Sequence, residues 1–250
     1  MYDHYIRACK LMPDGGSLIV GGEAQELTLW DIAAPQPTML GLLKSDAPAC
    51  YALAVTAHGG GQSSNPLCIS GCSDGVINIW DVRNQQLVNS FMGHRDGVSC
   101  VDVFKDGHSI VTGGLDHFVR VWDLRMYKQV DNVPFPSSVF SVGAGPDKWL
   151  AAGLENHEVR IFSAGRKETD QNFAISKHMG SVLSLKFASR SPWLLTTGKD
   201  SWINVFKVPQ GTPVADYQES MSILCSDISA GDGFVVVGSG DQFSRVFQVR

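Results

Sequence analysis

No apolar run in this sequence is long enough to cross a membrane as a helix. The longest, VFSVGAG (139–145) and GFVVVG (233–238), are strand-length, against the roughly 20 residues a spanning helix needs. The N-terminus, MYDHYIRACK, lacks the basic start and apolar stretch of a secretory signal. Six cysteines in 250 residues are too sparse for a disulfide scaffold, and there is no Asn-x-Ser/Thr acceptor. A reducing cytosolic or nuclear compartment is the expectation. Dense basic runs are also missing: 20 Lys and Arg face 25 Asp and Glu, so nothing favours direct contact with nucleic acid.

Motifs for chemistry are equally scarce. The seven histidines never approach metal-motif spacing. Cys68 and Cys72 lie four apart on one strand face, but no second Cys or His pair completes a zinc set, so buried free thiols are expected. TTGKDS (196–201) fails as a phosphate loop because Trp193 stands where the first glycine belongs and Asp200 follows the lysine. The glycine run at 59–61 reads as a flexible turn in a long loop. No metal, no cofactor and no catalytic residue is expected.

What the sequence has is a period. TGGLDHFVRVWDLR (112–125) is echoed by GCSDGVINIWDVR (71–83) and more faintly by GGEAQELTLWDIA (21–33). Aligning the phrase ends gives Trp30, Trp80, Trp122, Phe162, Phe206 and Phe247, spaced 40 to 50 residues apart. Each unit holds an alternating segment such as CVDVF (100–104), a turn with Pro, Asp, Gly or Ser, an apolar strand such as SIVTGG, and a second alternating strand ending at the aromatic. Short strands at regular spacing with almost no helical periodicity predict an all-β protein. Units of this length with four strands each predict a WD-repeat β-propeller.

Six units are visible over residues 1–250. Only four residues precede the first inner strand at Tyr5, and the chain stops at Arg250 just after a third strand. The expectation is a truncated seven-bladed ring whose first blade is missing; a six-bladed ring is the alternative.

A four-stranded blade cannot bury both faces alone, so the terminal aromatic of the third strand must fill the space between sheets. WD-repeat blades resembling these units tie that aromatic to a Ser or Thr, an Asp and a His. The third unit has the full set in His94, Thr112, Asp116 and Trp122. The fifth has His178, Thr196 and Asp200 with Phe206; the second has Ser70, Asp74 and Trp80 without an obvious His. Ala24 and Asn156 stand at the Asp position of the first and fourth units, which predicts weaker networks there. A Thr-His-Asp set that recurs from unit to unit is scaffold rather than a catalytic triad.

Reading the units in register puts Tyr5, Arg7, Phe140, Leu183 and Leu224 at the starts of inner strands. Glu23, Glu155 and Lys199 fall in the turns after second strands. Large apolar side chains beside a few charges suggest a peptide site at a pore mouth; the competing reading makes them core between blades.

Several strings are more specific than a generic repeat: YIRACKLMPDGGSLIVGGEAQELTLWDIAAPQP (5–37), APACYALAV (47–55), VLSLKFA (182–188), TTGKDSWINVF (196–206) and SILCSDIS (222–229). From about Tyr5 to Arg250 the chain resembles the C-terminal seven-bladed propeller of the Groucho/TLE transcriptional corepressors. The resemblance implies a nuclear, non-enzymatic module that recruits DNA-bound repressors through a Trp-Arg-Pro-Trp/Tyr tetrapeptide or a Phe-x-Ile-x-x-Ile-Leu segment. The implied peptide-binding residues are Tyr5, Arg7, Glu23, Phe140, Leu183, Lys199 and Leu224. The family's glutamine-rich oligomerisation segment has no counterpart here, so self-assembly is not implied. A generic WD-repeat scaffold, such as a ubiquitin-ligase adaptor, is the competing function.

Overall fold

A computed structural model of the chain describes residues 5–56, 65–165 and 173–249. The glycine run at 59–61, and most of the long loop expected from His58, lie outside them. The chain divides into two compact units, Met1–Pro134 and Phe135–Arg250.

The N-terminal unit is built of three four-stranded antiparallel sheets, each a simple meander. The first runs β1 (Ile6–Leu11), β2 (Ser17–Gly22), β3 (Glu26–Asp31) and β4 (Thr38–Lys44). The second is β5 (Cys50–Val55), β6 (Leu67–Cys72), β7 (Val76–Asp81) and β8 (Gln86–Met92), and the third β9 (Val98–Val103), β10 (Ser109–Gly114), β11 (Phe118–Asp123) and β12 (Lys128–Pro134). In the C-terminal unit the fourth sheet comprises β13 (Val139–Ala144), β14 (Trp149–Leu154), β15 (Val159–Ser163) and β16 (Phe173–Ile175). The fifth has β17 (Val182–Phe187), β18 (Trp193–Gly198), β19 (Trp202–Lys207) and β20 (Thr212–Gln218); the sixth has three strands, β21 (Ile223–Ile228), β22 (Phe234–Ser239) and β23 (Ser244–Gln248).

In the second to sixth sheets the hairpins between second and third strands share one device. His117, His157, Ser201 and Gln242 each take the left-handed conformation at φ 68 to 71°, and Gly75 does so at 84° in the second sheet. A left-handed residue closing a short hairpin loop lets the strands keep their right-handed twist. This accounts for two of the scattered histidines, which are turn residues.

Neighbouring sheets bury their faces against each other. The second sheet offers Ile69, Ile77 and Ile79, and the third covers them with Val98, Val101, Ile110 and Trp122. Trp122 stacks on Phe91 with centroids 4.7 Å apart and planes at 14°. Gly93 leaves room for the indole, since a Cβ there would lie 2.6 Å from its edge. The same construction joins the first sheet to the second through Ile19, Leu27, Cys68 and Trp80. In the C-terminal unit it joins the fourth to the fifth through Val159, Ile161, Leu194 and Phe206, and the fifth to the sixth through Leu195, Ile203, Val235 and Val237. Thus Trp80, Trp122, Phe206 and Phe247 of the sequence period lie between neighbouring sheets, whereas Trp30 is half-buried and lines an open cleft on the first sheet beside Ile6, Leu18 and Met39.

The inner strands do not alternate as CVDVF suggests. In β9, β17 and β21 the buried positions stand three apart: Val98 and Val101, Val182 and Leu185, Ile223 and Ser226. The reason is a bulge at the second residue of every inner strand, between Ile6 and Ala8, Cys50 and Ala52, Val98 and Cys100, Val139 and Ser141, Val182 and Ser184, and Ile223 and Cys225. One extra residue leaves the ladder, and its side chain is re-aimed.

Candidate functional site

Two sets of residues carry possible function, and their environments differ. The first is the aromatic-anchored network. In the third sheet Trp122 donates its indole N–H to Thr112 Oγ1 at 3.0 Å, and His94 bridges Thr112 (Nε2, 2.8 Å) and Asp116 (Nδ1, 2.9 Å). With a proton on Nδ1 the ring would donate to Asp116 and accept the threonine hydroxyl at Nε2, while Arg120 Nη1 stands 2.6 Å from that same Nδ1. Arg120 completes the set by donating to Asp116 at 2.9 Å. Gly114 is required beside it, because a Cβ would strike His94 and Asp116.

Burial is the strongest influence on His94 and pushes its pKa below 6.5; Arg120 adds to this while Asp116 opposes it. Asp116 goes the other way from what its own burial would do. Hydrogen bonds from His94 and the Arg95 N–H hold it below the usual carboxylate value. The fifth sheet repeats the plan with His178 between Asp200 (3.0 Å) and Thr196 (2.9 Å). Both imidazoles are closed off from solvent. Two buried copies of one arrangement hold blades together and leave no room for a substrate.

The other blades solve the same problem with different residues. In the second sheet Trp80 donates to Ser70 at 2.9 Å, and Ser45 serves where a His was sought: it accepts from Asn78 at 3.2 Å, and Asn78 accepts from Ser90 at 2.6 Å. Trp30 finds its acceptor on its own strand, Thr28 at 2.9 Å. The fourth sheet, with Asn156 in its turn, packs Phe135 against Phe162 at 5.6 Å. In the sixth, Arg245 bonds Asp241 at 2.6 Å and lies 3.4 Å from Glu219, an ionic replacement.

The second set is the bulged residues: Arg7, Tyr51, Ser99, Phe140, Leu183 and Leu224. Their predecessors Val98, Val139, Val182 and Ile223 are fully buried, whereas Leu224 is 56% exposed and Phe140 and Leu183 are half-buried. The bulge therefore takes these apolar side chains out of the inter-blade core. Beside each sits a turn residue fixed by a recurring bond. The backbone N–H groups of Glu23, Ser73, Leu115, Glu155, Lys199 and Gly240 donate to the carbonyls of Tyr5, Ala49, Gly97, Ser138, Ser181 and Ser222.

In the N-terminal unit, Tyr5, Arg7 and Glu23 come together. Arg7 Nε donates to Glu23 Oε1 at 3.0 Å, a second guanidinium N–H makes a still shorter bond, and the cation lies 5.8 Å from the Tyr5 ring centre. The Glu23 hydrogen bond raises the Arg7 pKa further. In the C-terminal unit Phe140, Leu183 and Leu224 occupy equivalent strand positions, with exposed Lys199 in the turn beside β18. Sequence reading missed Tyr51, Ser99, Ser73 and Leu115. The signal for Ser99 was available in the three-residue spacing of Val98 and Val101 in VSCVDV, whereas CYALAV buries Cys50, Ala52, Leu53 and Ala54. Tyr51 lies over Gly97, whose added Cβ would meet the ring at 3.1 Å, and is near enough to Arg7 to act on its charge.

No group of three or more His, Cys, Asp or Glu suited to a metal occurs among the described residues. Cys50, Cys68 and Cys72 are buried free thiols, with burial pushing the Cys72 pKa up to about 11.

Repeated four-stranded antiparallel sheets, locked by a Trp-Thr-His-Asp network, define an all-β WD-repeat propeller with six blades. The model of the WD domain, G-beta repeat, matches residues 51–81, 85–123 and 170–207. Over 248 residues the chain is 46% identical to Transducin-like enhancer protein 2 of Mus musculus, a match covering 99% of this chain and 31% of that protein. The chain is a WD-repeat propeller homologous to the C-terminal region of that Transducin-like enhancer protein and spans about a third of its length.

Proposed function

We propose that this chain is the peptide-recognition module of a nuclear Groucho-like corepressor, binding short motifs carried by DNA-bound repressors. The observation that carries the reading is the bulge repeated in all six inner strands, which frees Arg7, Phe140, Leu183 and Leu224 from both ladder and core. A Trp-Arg-Pro-Trp/Tyr tetrapeptide, or the apolar face of a Phe-x-Ile-x-x-Ile-Leu helix, supplies anchors for the three apolar side chains. Tyr5 adds an aromatic surface. Arg7, Glu23 and Lys199 pair with polar groups of the motif and set its direction.

Each fully buried apolar anchor contributes roughly 1.5 to 3 kcal/mol. Ordering a flexible peptide offsets part of that, leaving affinity on the order of micromolar, suited to reversible recruitment. The function is recognition without turnover. The test is fluorescence anisotropy with a labelled Trp-Arg-Pro-Trp peptide. Leu224→Ser and Arg7→Ala should each weaken binding at least about fivefold with unfolding curves unchanged. Absence of binding by the folded protein, or binding indifferent to both substitutions, rejects the reading.

A further inference from the structure

A second candidate site lies in the N-terminal unit at the opposite end of β1 from Arg7. Between the first and second sheets is an open cleft of about 620 Å³. Met12, Leu29 and Val82 form a buried apolar floor, and Leu40, 48% exposed, forms one wall. That wall is held in place: Gln85, left-handed at φ 54°, donates its side-chain amide to the Leu40 carbonyl at 3.4 Å. An apolar side chain entering the cleft would meet the buried Met12, Leu29 and Val82 surface.

The charges on its rim are unequal in availability. Asp14 is used up by its own turn, with Oδ1 accepting the N–H groups of Gly16 and Ser17 and Oδ2 accepting the Ser17 hydroxyl, all at 2.9 Å. Arg83 is exposed, and among the described residues its guanidinium makes no hydrogen bond or ion pair; it acts on Asp14 only through space. The cleft thus presents a guanidinium with unused hydrogen-bond donors beside an apolar floor, with the Asp14 charge on the same rim. A lone guanidinium recognises a carboxylate in a two-pronged arrangement, and the volume suits two or three side chains rather than a folded surface.

We propose that this cleft binds a short extended peptide from a partner protein, placing one aliphatic side chain on the Met12–Leu29–Val82 floor and an Asp or Glu against Arg83. The site is independent of the inner-strand residues and would let one propeller hold two partners at once.

The experiment is selection of phage-displayed random heptapeptides on the full chain, with affinities of the enriched peptides measured by anisotropy. Expected are peptides pairing an acidic residue with a nearby aliphatic one. Their binding should weaken at least about tenfold in Arg83→Glu, recover when the acidic residue is exchanged for lysine in that variant, and persist in Leu224→Ser. Leu40→Asp provides a second, charge-independent lesion in the wall, and thermal melts verify that each variant folds. The proposal is overturned if no peptide is enriched, if the enriched peptides bind Arg83→Glu and Leu40→Asp unchanged, or if Leu224→Ser abolishes their binding.

Discussion

Thr112 and His94 meet at 2.8 Å, hydroxyl to Nε2, and the same hydroxyl accepts the Trp122 indole N–H. One oxygen thus joins the second strand of a blade, its third strand and the loop before it. Thr112→Val keeps the shape and leaves the Trp122 indole N–H and His94 Nε2 without their partner in a fully buried place. We expect a loss of about 2 to 4 kcal/mol in urea unfolding. A loss below about 0.5 kcal/mol would mean that packing of Trp122 on Phe91 alone holds the blade.

Protonation should act on the same network. His94 has a folded pKa below its unfolded 6.5, with burial as the main cause. Below pH 6.5 the unfolded chain takes up a proton that the folded one resists, so the contribution is intact above that pH and lost as pH falls. The slope for one such group reaches at most about 1.4 kcal/mol per pH unit. Urea titrations between pH 7.5 and 5 should show this decline, and His94→Asn should flatten it. An equal slope in the variant would assign the decline to other groups.

Asp232 makes a bridge of a different kind. Its carboxylate accepts the backbone N–H groups of Ser189, Arg190 and Ser191 at 2.7 to 2.8 Å, tying a loop of the fifth sheet to the turn of the sixth. These bonds hold its pKa below the usual value although burial pulls the other way. Asp232→Ala should cost about 2 to 3 kcal/mol and remove hydrogen-exchange protection at residues 189–191. Unchanged exchange there would show that the loop is held by other contacts.

Tyr51 occupies the same bulge position as Arg7 and Leu224. Tyr51→Ala should weaken Trp-Arg-Pro-Trp binding about five- to tenfold, and Tyr51→Phe should retain most of it. Equal affinity of Tyr51→Ala and the parent protein would remove this residue from the recognition surface.

Much of this was legible in the sequence because the repeat writes it several times. The Asp, Thr, His and Trp of the third unit are ordered as their spacing implies, and so are His178, Thr196 and Asp200. Substituted networks were harder to read, since Ser45, Phe135 and Glu219 perform the bridging task with unrelated chemistry. Tyr51 escaped for a physical reason: the bulge between Cys50 and Ala52 takes it out of the alternation of its strand. The competing reading of Leu183 and Leu224 as inter-blade core could be resolved only by seeing that Val182 and Ile223 fill that place.

The inner-strand bulge also separates what must stay constant from what can vary. At this one position outside the ladder the six strands carry Arg, Tyr, Ser, Phe or Leu. Each blade thus carries a replaceable character in a fixed frame. Taste for a new ligand could be acquired by swapping those characters singly, at little risk to folding.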